Sequence, residues 1–160
     1  MRKFSFPPIA NSDARILILG TMPGEKSLRL NQYYGHAGNH FWKLMFSIYD
    51  QPFTADYEAR RNILLTNRIA LWDVLKACER EGSADSAIIE EESNDFESFF
   101  SRHRHIKQIA FNGKEAYRYF QLFCQIKPVV DMVILPSTSS ANTWKTFEEK
   151  LGEWKQIVLK

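Results

Sequence analysis

The run "RILILG" (Arg15–Gly20) holds four consecutive large aliphatic residues and closes on a glycine. A stretch with no polar residue to turn toward water is what a strand buried on both faces of a parallel sheet looks like. The hydrophobic period then vanishes from Thr21 to Gly38, where Pro23, Gly24, Gly35 and Gly38 act as breakers, so a long functional loop is expected rather than a turn. After it, "HFWKLMFSIY" sets Phe41, Leu44, Met45 and Ile48 at helical spacing, with Asn39 as the natural N-cap just before.

Outward from there the chain alternates. "DYEARRNILLTN" (Asp56–Asn67) reads as a helix and "IALWDVL" (Ile69–Leu75) as a strand. The acidic stretch from Glu79 to Asn94 reads as loop with one helical turn. "FESFFSRH" is a helix, "IKQIAFNG" (Ile106–Gly113) a strand, "KEAYRYFQLFC" a helix, "VVDMVILP" (Val129–Pro136) a strand, and a last helix runs from Thr143 to about Trp154. The order β, α, β, α, β, α, β predicts an α/β fold with a central parallel sheet covered by helices. Ligands of such folds bind at the carboxyl ends of the strands. Here those ends carry "GTMPG", "LWDVL", "FNGK" and "LPSTSSAN".

At 160 residues, 44% hydrophobic and 25% charged, the chain suits one globular domain. A net charge of +2 permits contact with nucleic acid without demanding it. Cys78 and Cys124 lack the spacing of a disulfide framework, a zinc site or an iron–sulfur site. No apolar run has the length of a signal peptide or a membrane span, so a soluble cytosolic protein is expected.

Several elements suit chemistry, each beside a blander reading. "GTMPG" (Gly20–Gly24) can aim backbone N–H groups at an anion, or be an ordinary strand-exit turn. It is neither a Walker loop nor a dinucleotide-binding loop. The stretch "YYGHAGNHFW" (Tyr33–Trp42) offers flat rings for stacking, glycines for close approach and a carboxamide. Asn39 can cap its helix and also hold a water by its side-chain oxygen. His36 and His40 have the i, i+4 spacing of a metal pair, but Gly38 and the cap at Asn39 leave His36 outside the helix, so no metal is expected. "LPSTSSAN" (Leu135–Asn142) suits phosphate contacts or a capping turn. "FNGK" and "LWDV" are weaker, since Trp72 can be core and Lys114 solvated.

Together, "LILGTMPGEKSLRLNQYYGHAGNHFWKLM", "IALWDVLKACEREGSADSAI", "FNGKEAY" and "LPSTSSAN", in this order at successive strand exits, resemble the uracil-DNA glycosylase superfamily. "GHxxNxFW" is similar to its mismatch-specific branch; the combination with "QYYGH" and "LPSTS.AN" most resembles the hypoxanthine-DNA glycosylase branch. The resemblance covers about Ile16 to Trp144. It implies a three-layer α/β/α sandwich with a central four-stranded parallel sheet, and hydrolysis of the bond joining a deaminated base to deoxyribose.

It also implies roles. Gly20, Thr21, Met22, Pro23 and Gly24 would line the base pocket and carry backbone donors, with Gly35 and His36 beside them. Asn39 would be catalytic, positioning the attacking water. Phe41, or one of Tyr33 and Tyr34, would stack on the flipped base, with Trp72 and Asn112 near the pocket. Ser137, Thr138, Ser139, Ser140 and Asn142 would grip phosphate and help fill the vacated stack. The expected partner is double-stranded DNA carrying a deaminated base, with single-stranded DNA as a second form; the expected state is a monomer without metal, cofactor or membrane contact.

Such a mechanism needs no strong base. Asparagine cannot take a proton at neutral pH, so it only orients water, and the transition state must be dissociative, with a cationic sugar and a departing anionic base. Backbone donors then stabilise the leaving anion. The base must be flipped out of the duplex, at least cost where it is mispaired. Two departures stand out. The position of the catalytic Asp in the most active uracil-specific branch is not acidic in "GTMPG", which points away from vigorous uracil removal, and Ser140 stands where proline is expected. Rival readings are a uracil or thymine mismatch glycosylase, a damaged-DNA-binding module without catalysis, and an α/β enzyme of nucleotide or sugar-phosphate metabolism.

Overall fold

Ile16 and Ile18 turn to one face of the central sheet and Leu17 and Leu19 to the other, because successive side chains of a strand alternate. Both sets are fully buried, so helices cover both faces. The computed structural model describes residues 1–126 and 128–157. Its sheet runs β3-β2-β6-β7, with β2 (Ile16–Gly20), β3 (Ile69–Asp73), β6 (Gln108–Asn112) and β7 (Asp131–Leu135), and every pairing is parallel. Leu17, Leu19, Ala70, Trp72, Ile109 and Phe111 pack on α4 (Phe96–Arg102) and α5 (Lys114–Phe123). Ile16, Ile18, Ile69, Leu71 and Ala110 pack on α2 (Phe41–Ile48), α3 (Tyr57–Thr66) and α6 (Phe147–Trp154). This is the expected α/β fold with a four-stranded parallel sheet between helices.

Four differences from the expected elements have physical causes. The predicted strand over Ile69–Leu75 ends at Asp73, because the Val74 and Leu75 N–H groups donate to Gly20 O and Thr21 O, at 2.8 and 3.2 Å, and turn the chain out of the sheet. It continues as β4 (Leu75–Glu79), the middle of a second sheet, β1-β4-β5, with β1 (Arg2–Phe4) and β5 (Ile89–Ser93) antiparallel at its edges. The sequence of β5, "IEEES", lies in the acidic stretch expected to be loop; its charges are those of an exposed edge strand, and Glu92 meets Arg2 at 3.1 Å and Lys76 at 3.5 Å. Within the stretch expected to be irregular, α1 (Glu25–Leu30) forms one short helix, closed by Asn31 in the left-handed region (φ +55°).

The last helix starts at Phe147 rather than Thr143, where a capping box begins: Glu149 N donates to Thr146 Oγ1 (3.2 Å), and Thr146 N to Glu149 Oε1 (3.0 Å). Thr146→Ala should therefore cost about 1 kcal/mol, read as a melting temperature lower by roughly 2–4 °C for a domain of this size. Among the described residues no helix is long and apolar enough to cross a membrane. Cys78 and Cys124 are both buried and are not joined to each other.

Candidate active site

The parallel register brings Gly20 opposite Asp73 and Asn112 opposite Leu135, so all four strand exits open on one edge. At its centre Gly20 admits no side chain: a Cβ there would lie 2.6 Å from Asp73 Oδ1 and 2.7 Å from Tyr34 Oη. Past Gly20 the loop is held from several sides. Thr21 donates to the Asp85 carboxylate, Met22 packs in the core on the α4 side, Pro23 O accepts from Arg80 Nη2, and Glu25 N donates to Ser83 Oγ at 2.9 Å. Met22 was expected in the pocket wall; its side chain is core, and only its backbone is left for a ligand. The N–H groups of Met22 and Gly24 donate to no acceptor among the described residues.

Tyr34, in the left-handed region (φ +53°), lays its ring on Phe41 at 4.3 Å between centroids and 28° between planes. Phe41 is 0% exposed, whereas Tyr34 is only part-buried. The helical spacing that identified Phe41 is itself the reason: it puts that ring on the buried stripe of α2. Trp72 is also displaced from its expected place. It pairs with Leu19, turns to the α4 layer, stacks on Phe99 at 4.9 Å and donates Nε1–H to Phe6 O at 3.2 Å. Gly35 packs against α1, its N–H on Ser27 Oγ at 2.9 Å. His36 is exposed and its Nδ1 accepts from Gly38 N at 2.9 Å.

Asn112 joins three segments. Its Nδ2 donates to Tyr34 Oη (3.0 Å) and Thr138 Oγ1 (2.9 Å), and its Oδ1 accepts from Thr138 N (2.9 Å). With every amide hydrogen and one lone pair engaged, Asn112 ties Tyr34 and Thr138 to the end of β6. Thr138, expected to grip phosphate, is 0% exposed and serves the same tie. In the rest of its loop Ser139 N donates to Ser137 Oγ, Ala141 N to Ser139 Oγ, and Asn142 Nδ2 to Ser137 O, while Ser140 is exposed.

This loop meets the helix entrance. His40 N donates to Thr138 O (2.9 Å), and a Cβ on Gly38 would lie 3.1 Å from Ser140 Cβ. Asn39 is half-buried there. The expected N-cap is shifted by one residue: His40, already helical in its dihedrals, holds the cap position, and Asn39 Oδ1 accepts from Phe41 N at 2.9 Å in an Asx-turn. That leaves one lone pair of Oδ1 and both Nδ2 hydrogens of Asn39 without a protein partner among the described residues. His40 turns to the buried Lys150, Nδ1 to Nζ 3.3 Å, and burial and then Lys150 and Lys43 hold the imidazole below its usual pKa. His36 and His40 thus look to different partners, and among the described residues no three His, Cys, Asp or Glu gather as a metal site would require.

Four residues at this edge escape the sequence reading. Asp73 is 3% exposed; burial raises its pKa to about 7, with the Ser5 hydrogen bond opposing, Asp85 adding and Arg80 opposing. Ser5 Oγ donates to its Oδ2 at 3.1 Å. Asp85 is raised by burial, against its bond from Thr21 and the nearby Arg80. Arg80 is buried, with Nη1 3.9 Å from Asp85 Oδ1 and no hydrogen-bond partner for Nε or Nη1. Trp144 is 92% exposed just beyond the Ser137–Asn142 loop. An acidic residue closing the apolar run of β3 was the one visible signal for Asp73; Arg80 and Asp85 had none.

Known proteins resemble this chain in sequence and in fold. The sequence profile of the Uracil DNA glycosylase superfamily matches residues 7–158. A protein of Methanosarcina barkeri named hypoxanthine DNA glycosylase is 39% identical over 153 residues, 95% of this chain and 96% of that one. Its namesake in Methanosarcina acetivorans is 39% identical over 158 residues, 98% of each. A solution NMR structure from Methanosarcina acetivorans, named a candidate uracil DNA glycosylase, superposes with a TM-score of 0.83 at 37% identity, covering 99% of this chain and 97% of that one. With sequence and fold matched over nearly their whole length, the chain belongs to the uracil DNA glycosylase superfamily.

Proposed function

We propose that this protein is a monofunctional DNA glycosylase of base excision repair that hydrolyses the N-glycosidic bond of deaminated bases, hypoxanthine first, acting in the cytosol as a monomer without metal or cofactor. The observation that carries the reading is the meeting of Gly38 and His40, on either side of Asn39, with the Thr138–Ser140 segment at the strand-exit edge where Tyr34 covers Gly20. The names of the Methanosarcina relatives support hypoxanthine as the base.

A flipped base stacks on the Tyr34 ring. Its oxygen takes the unpartnered N–H groups of Met22 and Gly24, donors whose worth grows where water is excluded. Asn39 holds the attacking water through the free part of its amide. The sugar develops positive charge as the base leaves, and the DNA phosphates on either side favour it. Ser139, Ser140 and Asn142 lie against the backbone of the damaged strand. No lysine serves as nucleophile: Lys150 is buried and turned to His40, so strand scission through a Schiff base is not expected.

Trp144 inserts into or against the stack that the base vacates. Base–aromatic stacking is worth roughly 1–3 kcal/mol, so Trp144→Ala should weaken damaged-duplex binding about tenfold. Since Trp42, Trp72 and Trp154 are all buried, the emission change on adding duplex should come from Trp144 and vanish in the variant.

The direct test is alkaline cleavage of labelled duplexes carrying one deoxyinosine or one deoxyuridine after incubation with the protein. Cleavage at inosine, faster than at uracil, is the expected result. Faster cleavage at uracil would move the reading to a mismatch glycosylase. Binding without any product would leave a recognition module, and cleavage of free nucleosides alone a nucleotide-metabolising enzyme.

A further inference from the structure

The mechanism above uses no acid, yet a carboxyl group stands in the wall of the site. Asp73 closes β3 directly across from Gly20, with Oδ2 taken by Ser5 and Oδ1 next to the Gly20 backbone, the point that Tyr34 Oη also reaches. Resting on the glycosylase reading, we propose that Asp73 is the general acid for purine release, its Oδ1 hydroxyl giving a proton to N7 of hypoxanthine as the glycosidic bond breaks.

The step balances. The N9–C1′ bond breaks with its electron pair going to N9, the Asp73 O–H proton goes to N7, and the base leaves neutral. Water adds its oxygen to C1′ and gives its spare proton to solvent, and the Asp73 carboxylate is reprotonated from solvent before the next turnover. A purine offers such a ring nitrogen with an in-plane lone pair. Uracil presents only carbonyl oxygens and ring N–H, and must leave as an anion.

The surroundings favour the neutral acid. From the N-terminal segment only the Ser5 hydroxyl reaches the carboxyl group; from the loop before α2, Tyr33 and Tyr34 face it, both kept protonated by burial and by Asp73 itself. From the segment after β4 come Asp85, which repels a carboxylate, and Arg80, which is held by Pro23 O and Asp85. After β5, Asn94 donates to the Asp73 backbone oxygen at 2.7 Å, not to the carboxyl group. A buried carboxylate with one hydrogen bond and no ion-pair contact keeps its proton far up the pH scale, here to about 7. A general acid works only while protonated, so base release should be flat below that pH and fall as pH rises through it.

The experiment is single-turnover release from duplexes carrying deoxyinosine or 7-deaza-deoxyinosine, which lacks N7, by the wild type, Asp73→Asn and Ser5→Ala. Asp73→Asn should lose about 10²-fold on inosine and lose the alkaline limb; the wild type should lose as much on the 7-deaza substrate, and Asp73→Asn nothing further there. Ser5→Ala, which removes a bond favouring the carboxylate, should move the limb to higher pH. Equal losses by Asp73→Asn on both substrates, an unaltered limb, or a Ser5→Ala limb that stays put overturn the inference. A wild type that releases no hypoxanthine ends the hypoxanthine reading, and this inference with it. A far-ultraviolet spectrum and melting curve identify a variant that fails to fold, in which case the Ser5→Ala limb and the wild-type 7-deaza loss decide.

Discussion

Asn39→Ala is expected to lower single-turnover base release by about 10²–10³-fold, with duplex affinity changed by no more than about twofold. Asn39 is half-buried at the helix entrance, and only part of its amide is spent on Phe41 N. The alanine loses that turn bond, worth about 1 kcal/mol, which lowers melting by roughly 2–4 °C. A residue acting only as a cap would show the small melting shift and unaltered kinetics. Gel-shift binding to an inosine duplex, a melting curve and a cleavage time course on the same preparation separate the two. Wild-type cleavage by the alanine variant would remove Asn39 from the mechanism.

Asn112→Ala should have the largest effect on stability. It deletes three hydrogen bonds at once and leaves Thr138 N and Oγ1 without their partner in a fully buried place. Each buried group stranded in this way costs about 1–3 kcal/mol, so a loss of about 3 kcal/mol, or roughly 6–12 °C in melting, is expected. Activity should fall too, because Tyr34 loses the bond that fixes its hydroxyl and the loop bearing Ser139 and Ser140 loses its anchor to β6. Asn112→Asp, which keeps an acceptor for Thr138 N, should recover part of the stability. An alanine variant that melts with the wild type would show the tie to be dispensable.

The parallel sheet was legible because its strands are apolar and end in Gly20, in Asn112 beside Gly113, and in Leu135 beside Pro136. The second sheet was not. Nothing local in "LWDVLKACE" marks the break at Val74, which is made by carbonyls of Gly20 and Thr21, and "IEEES" carries the composition of a loop because an edge strand needs no apolar face. Within the candidate site, the family resemblance pointed to Asn39 and the Ser137–Asn142 loop, and the fold brings the segments that carry them to one edge. The resemblance also named Phe41, with Tyr33 or Tyr34 as alternatives, and Trp72; Phe41, Tyr33 and Trp72 are buried, and Tyr34 is only part-buried. Asp73 acquires its meaning only from the register that sets it opposite Gly20, a long-range fact.

The order β3-β2-β6-β7 also sets when such a site can exist during synthesis. Ile16 pairs with Ile69 on one side and Gln108 on the other, and Gln108 pairs in turn with Asp131. As the chain leaves the ribosome, β2 therefore waits for nearly half of the sequence before its β3 edge is covered, and for about two thirds before its β6 edge is. Topologies dominated by such distant pairings fold slowly and expose bare strands meanwhile. Each exit loop hangs from a different strand, so the candidate site is complete only once β7, the last strand of the sheet, is in place.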